Sequence, residues 1–224
     1  MNAELAAVIQ HTLIAADLTA DRMVLHAEEC LQWGFEAAMV PGSWVREVAS
    51  VLSGTDVKVA SALDFPIVGI TTPRGKAAEA EQLVAAGAQQ LDMGCQIGWL
   101  KSGRFDAFRD DIAGVVSASG VPVKVMLELP LLTSAERDAA VELAIEAGAA
   151  YLKNASSGAV EIANVASIAW LSSRARDGVL VKASGGITSA QQVRELIAAG
   201  AALVGTSAGI EIVSGSEDTT TRSY

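Results

Sequence analysis

The chain has 224 residues, 51% of them hydrophobic and 19% charged, which suits one compact domain at the large end of the single-core range. Its net charge of -10 excludes nucleic acid and anionic membrane surfaces as natural partners, since both attract basic patches. An anionic substrate has to be held by local groups.

The opening MNAELAAVIQHT lacks a basic, apolar leader pattern, and no apolar run approaches the roughly 20 residues that span a bilayer. A soluble cytoplasmic protein is expected. Cys30 and Cys95 are far apart in differently patterned segments, so neither a disulfide framework nor a thiolate metal site is indicated. His11 and His26 also lack the clustering that a zinc site needs. Neither a metal nor another cofactor is expected.

The sequence repeats a short theme: AAGAQQLD from Ala85, EAGAAYLK from Glu146 and AAGAALVG from Ala198, with a looser copy in LQWGFEAAMV from Leu31. In each, a helical pattern ends at glycine and an apolar strand follows at once, the punctuation of βα units around a parallel sheet. In chain order this predicts strands at 8–11, 35–40, 57–63, 90–95, 121–129, 150–154, 179–184 and 202–206. Helices are predicted at 20–33, 43–52, 74–86, 105–119, 134–147, 160–174 and 189–199, two of them opening on caps at Thr133-Ser134-Ala-Glu136 and Thr188-Ser189. Eight strands with intervening helices predict a single-domain α/β fold, a (β/α)8 TIM barrel over 1–213, followed by a flexible polar tail over 214–224. An open doubly wound sheet is disfavoured, since IQHTLIAAD offers no glycine-rich turn after the first strand.

Barrel active sites lie at the C-terminal ends of the strands. Strand four ends in QQLDMGC with Asp92, strand six in AYLKNA with Lys153 and strand seven in VLVKASGG with Lys182. Two lysines on neighbouring strands are costly unless desolvation and mutual repulsion free an amine for attack on a carbonyl. The alternative is that each lysine reaches solvent or pairs with Asp92 in a plain ion-pair network. Lys124 sits near the start of its strand and is expected to lie away from the chemical face. Glu128, near the end of strand five, is a candidate member of the Asp92 network or of an ordinary salt bridge. The turns SGGITS and GTSAG place Gly185, Gly186, Gly205 and Ser207 where barrels hold phosphate on bare amides.

Together these features describe a Schiff-base (class I) aldolase. IQHTL, LDMGCQIGWLKSG, KVMLELPLLT, YLKNASSG, VKASGGI and VGTSAG, in that order along the chain, resemble the deoxyribose-phosphate aldolase family. The resemblance implies Lys153 as the Schiff-base lysine, Asp92 as the proton-shuttling carboxylate, and Lys182 as the second lysine, lowering the nucleophile's pKa and exchanging protons. It also implies phosphate binding at Gly185, Gly186, Gly205 and Ser207, and a proton-relay role for the terminal Tyr224. The implied reaction is reversible cleavage of 2-deoxy-D-ribose 5-phosphate to D-glyceraldehyde 3-phosphate and acetaldehyde. Departures from the family pattern lie near the mouth: Gln10 where Asp is usual, Met39-Val40-Pro41-Gly42 for Cys-Val-Asn-Pro, KNASSG for KTSTG, ELP for ETG, and Gln96 for Asn. They keep two further readings open: a lysine aldolase of this family acting on a different short phosphorylated sugar or aldehyde, and a non-catalytic sugar-phosphate-binding barrel. Apolar helix faces such as AIEAGAA suit packing in the barrel or against a second copy, leaving open a homodimer or higher homo-oligomer.

Overall fold

The computed structural model describes residues 2–215. Eight parallel strands close on themselves in sequence order: β1 (Ile9–Thr12), β2 (Ala37–Val40), β3 (Lys58–Leu63), β4 (Gln90–Gly94), β5 (Val123–Met126), β6 (Tyr151–Lys153), β7 (Leu180–Ser184) and β8 (Leu203–Thr206). Around them run α1 (Ala3–Ala6), α2 (Ala20–Trp33), α3 (Val45–Val51), α4 (Pro73–Ala86), α5 (Ile97–Lys101), α6 (Phe105–Ser119), α7 (Ser134–Glu146), α8 (Val165–Arg174), α9 (Ala190–Ala198) and α10 (Gly209–Ser214). This is a (β/α)8 barrel. No helix among the described residues is long and apolar enough to cross a membrane.

The repeated Ala-Gly-Ala motif does the work its composition implies. Its glycine ends each helix in a left-handed conformation, with φ of 117° at Gly87 and 108° at Gly200, and the chain turns directly into the next strand. Both expected caps form capping boxes, Thr133 with Glu136 and Ser189 with Gln192.

Alternation along the strands creates two separate interiors. Ile9, Val40, Val59, Leu63, Leu91, Met93, Val125, Val181 and Val204 join the helices in the main apolar core. Ala37, Met39 and Ala60 form a second, small apolar cluster. Gln10, Gln90, Asp92, Lys124, Lys153 and Lys182 share that alternate register, all buried. Burying a core side chain contributes about 1.5–3 kcal/mol, so the helix-facing layer can stabilise the barrel while its lumen stays polar.

The sequence overextends several elements by a residue or two, and two of them by more. The strand expected over 121–129 stops at Met126, because Glu128 takes a left-handed backbone (φ 50°) and Leu129–Leu131 form a 3-10 turn. The helix expected from Val160 begins at Val165, capped by Asn164, whose side chain accepts from the Ser167 amide. Residues 160–164 instead form a loop tied to the end of β7 by the bond from the Ala163 amide to the Gly185 carbonyl. Three short helices, α1, α5 and α10, have no counterpart in the sequence expectation.

Histidines separated in the sequence are brought together. The rings of His11 and His26 stack with centroids 4.8 Å apart, and Glu29 completes a group whose potential ligand atoms lie within 4.8 Å of one another. This corrects the expectation that they do not cluster. Burial depresses both imidazoles, to about 4 for His11 and about 3 for His26. Neither ring carries charge near neutrality.

Candidate active site

Strand register builds the site. Asp92 in β4 pairs with Lys124 in β5, and Lys153 at the end of β6 pairs with Lys182 in β7. Their side chains converge inside the barrel. Oδ2 of Asp92 accepts from Nζ of Lys153 at 2.8 Å and from Nζ of Lys182 at 2.7 Å. Nζ of Lys124 faces Oδ1 at 3.3 Å.

Three lysines therefore share one carboxylate out of water. Burial alone would raise the Asp92 pKa, but Lys153, Lys182 and Lys124 outweigh it and hold the carboxyl well below the usual range. Burial depresses Lys182 to about 7; Asp92 opposes this, while Lys153 and Lys124 reinforce it. Lys124 is also lowered, chiefly by burial. A desolvated cluster with excess positive charge favours one neutral amine, and its protons belong to the group as a whole.

Lys124 corrects the expectation that it lies away from the chemical face. Its backbone is low in the barrel, but a long side chain leaning along the strand carries its ammonium to Asp92. Glu128 stands apart from the ion pairs. Its carboxylate accepts from the Ser156 amide at 2.6 Å and so fixes the segment following Lys153. Burial raises its pKa.

The sequence did not reveal a polar ladder beneath the lysines. Lys182 donates to Oε1 of Gln10 at 2.6 Å, while Nε2 of Gln10 donates to Oε2 of Glu36 and Oε1 of Gln90, each at 2.7 Å. Gln90 in turn donates to Oε1 of Glu36 at 2.7 Å, and exposed Lys58 closes the ladder at 2.8 Å. Burial tends to raise the Glu36 pKa, but hydrogen bonds from Lys58, Gln10 and Gln90 outweigh it, and the net shift is downward. Its one sequence signal was the presence of Gln10 among the departures from the family pattern.

Around the mouth, Thr12, Met39, Phe65, Ser156 and Ser184 join Lys153, Lys182 and Asp92 in lining a small open cleft. Asn154 braces its rim: Nδ2 donates to the Ser184 carbonyl at 3.0 Å and Oδ1 accepts the Ser184 amide at 2.9 Å. The same Nδ2 reaches Glu161 at 2.8 Å. Across the barrel, buried Lys76 donates to the Gly94 carbonyl at 2.9 Å and to Asp111 at 2.5 Å, joining the end of β4 to the helical layer.

Gly185 and Gly186 follow β7 with φ of 113° and 62°, in the turn the sequence assigns them. Gly205 lies within β8, as the predicted strand 202–206 has it, opposite Ser184 of β7 and ahead of the turn. A Cβ there would stand 2.8 Å from the Ser184 hydroxyl and 3.1 Å from Cε of Lys182. Its bare backbone leaves room for the lysine. Gly205→Ala is therefore expected to displace Lys182 and lower kcat by roughly 10- to 100-fold, with a destabilisation of about 1–3 kcal/mol measurable by denaturant melts. Ser207 follows β8 directly, and Tyr224 lies outside the described residues.

No protein-family model matches the chain. It is 42% identical over 213 residues to the deoxyribose-phosphate aldolase of Methanothermobacter thermautotrophicus, covering 95% of each chain. It is 39% identical to that of a Geobacillus species, covering 96% of this chain and 97% of the relative. Among solved structures, the tetrameric deoxyribose phosphate aldolase of Aeropyrum pernix superposes with a TM-score of 0.86 at 28% identity, covering 95% of this chain and 91% of that one. With these identities spanning nearly the whole barrel, the chain belongs to the deoxyribose-phosphate aldolase family.

Proposed function

We propose that the protein catalyses the reversible cleavage of 2-deoxy-D-ribose 5-phosphate to D-glyceraldehyde 3-phosphate and acetaldehyde through a Schiff base on Lys153. The observation that carries this reading is the sharing of Asp92 Oδ2 by the Lys153 and Lys182 amines at the mouth of the barrel. Relatives bearing the aldolase name over nearly the full chain supply the substrate.

The neutral Lys153 amine attacks C1 of the open-chain aldehyde, and loss of water from the carbinolamine leaves an iminium ion. A base removes the proton from the C3 hydroxyl. The C2–C3 bond breaks as the C3 oxygen becomes the carbonyl of glyceraldehyde 3-phosphate, and its electron pair passes to C2 to give an enamine. Protonation at C2 regenerates an iminium, and water releases acetaldehyde and the free lysine.

Asp92 and Lys182 are the groups proposed to move these protons, since Oδ2 lies between the two amines and burial lowers the Lys182 pKa to about 7. Bare backbone at Gly185 and Gly186, with Gly205 and Ser207 beside it, forms the wall proposed for the phosphate. Tyr224 joins the proposal as a further proton relay. The substrate is a small phosphorylated sugar, and self-association of the chain is the partner reading proposed alongside it.

A coupled assay for glyceraldehyde 3-phosphate released from 2-deoxyribose 5-phosphate tests this reading. Steady turnover is expected without added metal or cofactor. No release from this ester, with the protein folded, overturns the substrate assignment.

A further inference from the structure

The ladder beneath the lysines has a direction that chemistry fixes. An ammonium only donates, so Lys182 has to meet the oxygen of the Gln10 amide, 2.6 Å away. A carboxylate only accepts, so Glu36 has to meet the nitrogen, 2.7 Å away. Gln90 accepts from the same nitrogen and bonds Glu36 with its own amide. The Gln10 amide therefore cannot flip without setting donor against donor and acceptor against acceptor.

We propose that Gln10 is a positioning residue for proton transfer: its amide oxygen holds the Lys182 amine against Asp92, and its locked orientation ties that lysine to Glu36 without placing a second carboxylate in the barrel mouth.

The charges around Lys182 define what an amide, rather than an acid, contributes there. From β4 it faces Asp92, from β5 Lys124 and from β6 Lys153, while β1 contributes neutral Gln10 with Glu36 behind it. The nearest residues of β8 are Leu203 and Gly205, and β2 and β3 contribute Ala37, Met39 and Ala60 to the lumen. One carboxylate thus meets three lysines at the mouth. An acid at position 10, as is usual in the family, would set a second carboxylate beside Lys182 and favour its ammonium form. The amide supplies an acceptor, and with it a fixed lysine, while leaving the excess in place.

This inference rests on the Schiff-base reading, and the two fail separately. Trapping of the parent protein on Lys153 decides that reading. A 13C-lysine NMR titration of Lys182 reports on Gln10 without any turnover. Gln10→Met keeps the side-chain length and removes the hydrogen bonds to Lys182, Glu36 and Gln90. It is expected to lower kcat by roughly tenfold or more while KM stays within about twofold, because Gln10 touches no substrate atom. The kcat/KM limb and the NMR midpoint that follow Lys182 should both move to lower pH. Gln10→Glu restores the acceptor, and both should then move above the parent's midpoint by about one pH unit.

A folded Gln10→Met protein whose pH profile and Lys182 titration superimpose on the parent's would overturn the proposal. Should that variant fail to fold, Gln10→Glu decides alone, and a midpoint unchanged from the parent's overturns it.

Discussion

Lys153→Met is expected to abolish aldol cleavage, with kcat falling on the order of 10⁴-fold or more, equivalent to at least about 5.5 kcal/mol of lost transition-state stabilisation. No other amine replaces it easily. Lys182 is 2.7 Å from the same carboxylate oxygen, but its side chain is buried and committed to Gln10. The fold should survive. Removing one of three lysines that share Asp92 reduces the excess buried charge, and methionine fills the same space without a desolvated cation. The melting temperature should therefore be unchanged or higher, which separates loss of chemistry from loss of structure. Steady-state kinetics and a thermal melt on one preparation check both statements.

Asp92→Asn has the second largest expected effect, and it is of a different kind. Among the described residues the lysines lose their one direct counter-charge, and one acceptor oxygen becomes an NH2 donor set against an ammonium. Breaking a buried pair in this way costs about 3–5 kcal/mol, and kcat should fall by roughly 10²- to 10⁴-fold as proton transfer slows. The Lys153 amine remains, so slow trapping by an aldehyde should persist where turnover is almost lost. The effect on acid stability has a definite sign. Because the Asp92 pKa is held below its ordinary value, its contribution to stability is fully present above about pH 4 and is lost as pH falls toward the depressed value. The Asn variant should be less stable at neutral pH and show a shallower decline in acid. Urea midpoints measured across that range test this.

The barrel was legible because its punctuation is local. A glycine at a helix end and an apolar strand after it are set by neighbours a few residues apart, and four copies of the theme give the βα rhythm directly. Lys153, Lys182 and Asp92 were legible for a related reason: each is a charged residue in or at the end of an apolar strand, and the resemblance assigned their roles. What stayed hidden depends on side-chain reach and on contacts distant in sequence. The position of Lys124 low in its strand is correct, but the strand position says nothing of an ammonium that extends up the lumen. Gly205 falls in the predicted strand 202–206, but nothing local shows that a Cβ there would crowd Lys182. The bond between Lys182 and Gln10 joins residues 172 apart, and no local pattern carries it. The early end of β5 follows from the left-handed backbone at Glu128, which lets its carboxylate reach Ser156.

The cysteines and histidines follow the same logic. Cys30 and Cys95 are buried, and desolvation pushes both thiols upward, away from the reactive range. The depressed imidazoles of His11 and His26 do not titrate near neutrality. A pH dependence of activity near 7 is therefore not that of these histidines or cysteines.

The most direct measurement is borohydride trapping with acetaldehyde, followed by peptide mass mapping. Incubation with acetaldehyde should form the product-side iminium, and reduction should leave an N-ethyl group on Lys153, with loss of activity in proportion to labelling. Lys182 and Lys124 should remain unmodified, and exposed Lys58 and Lys101 should be labelled only slowly. A folded protein in which Lys153 escapes modification, or in which the ethyl group is found on Lys182 instead, would contradict the assignment of Lys153 as the nucleophile.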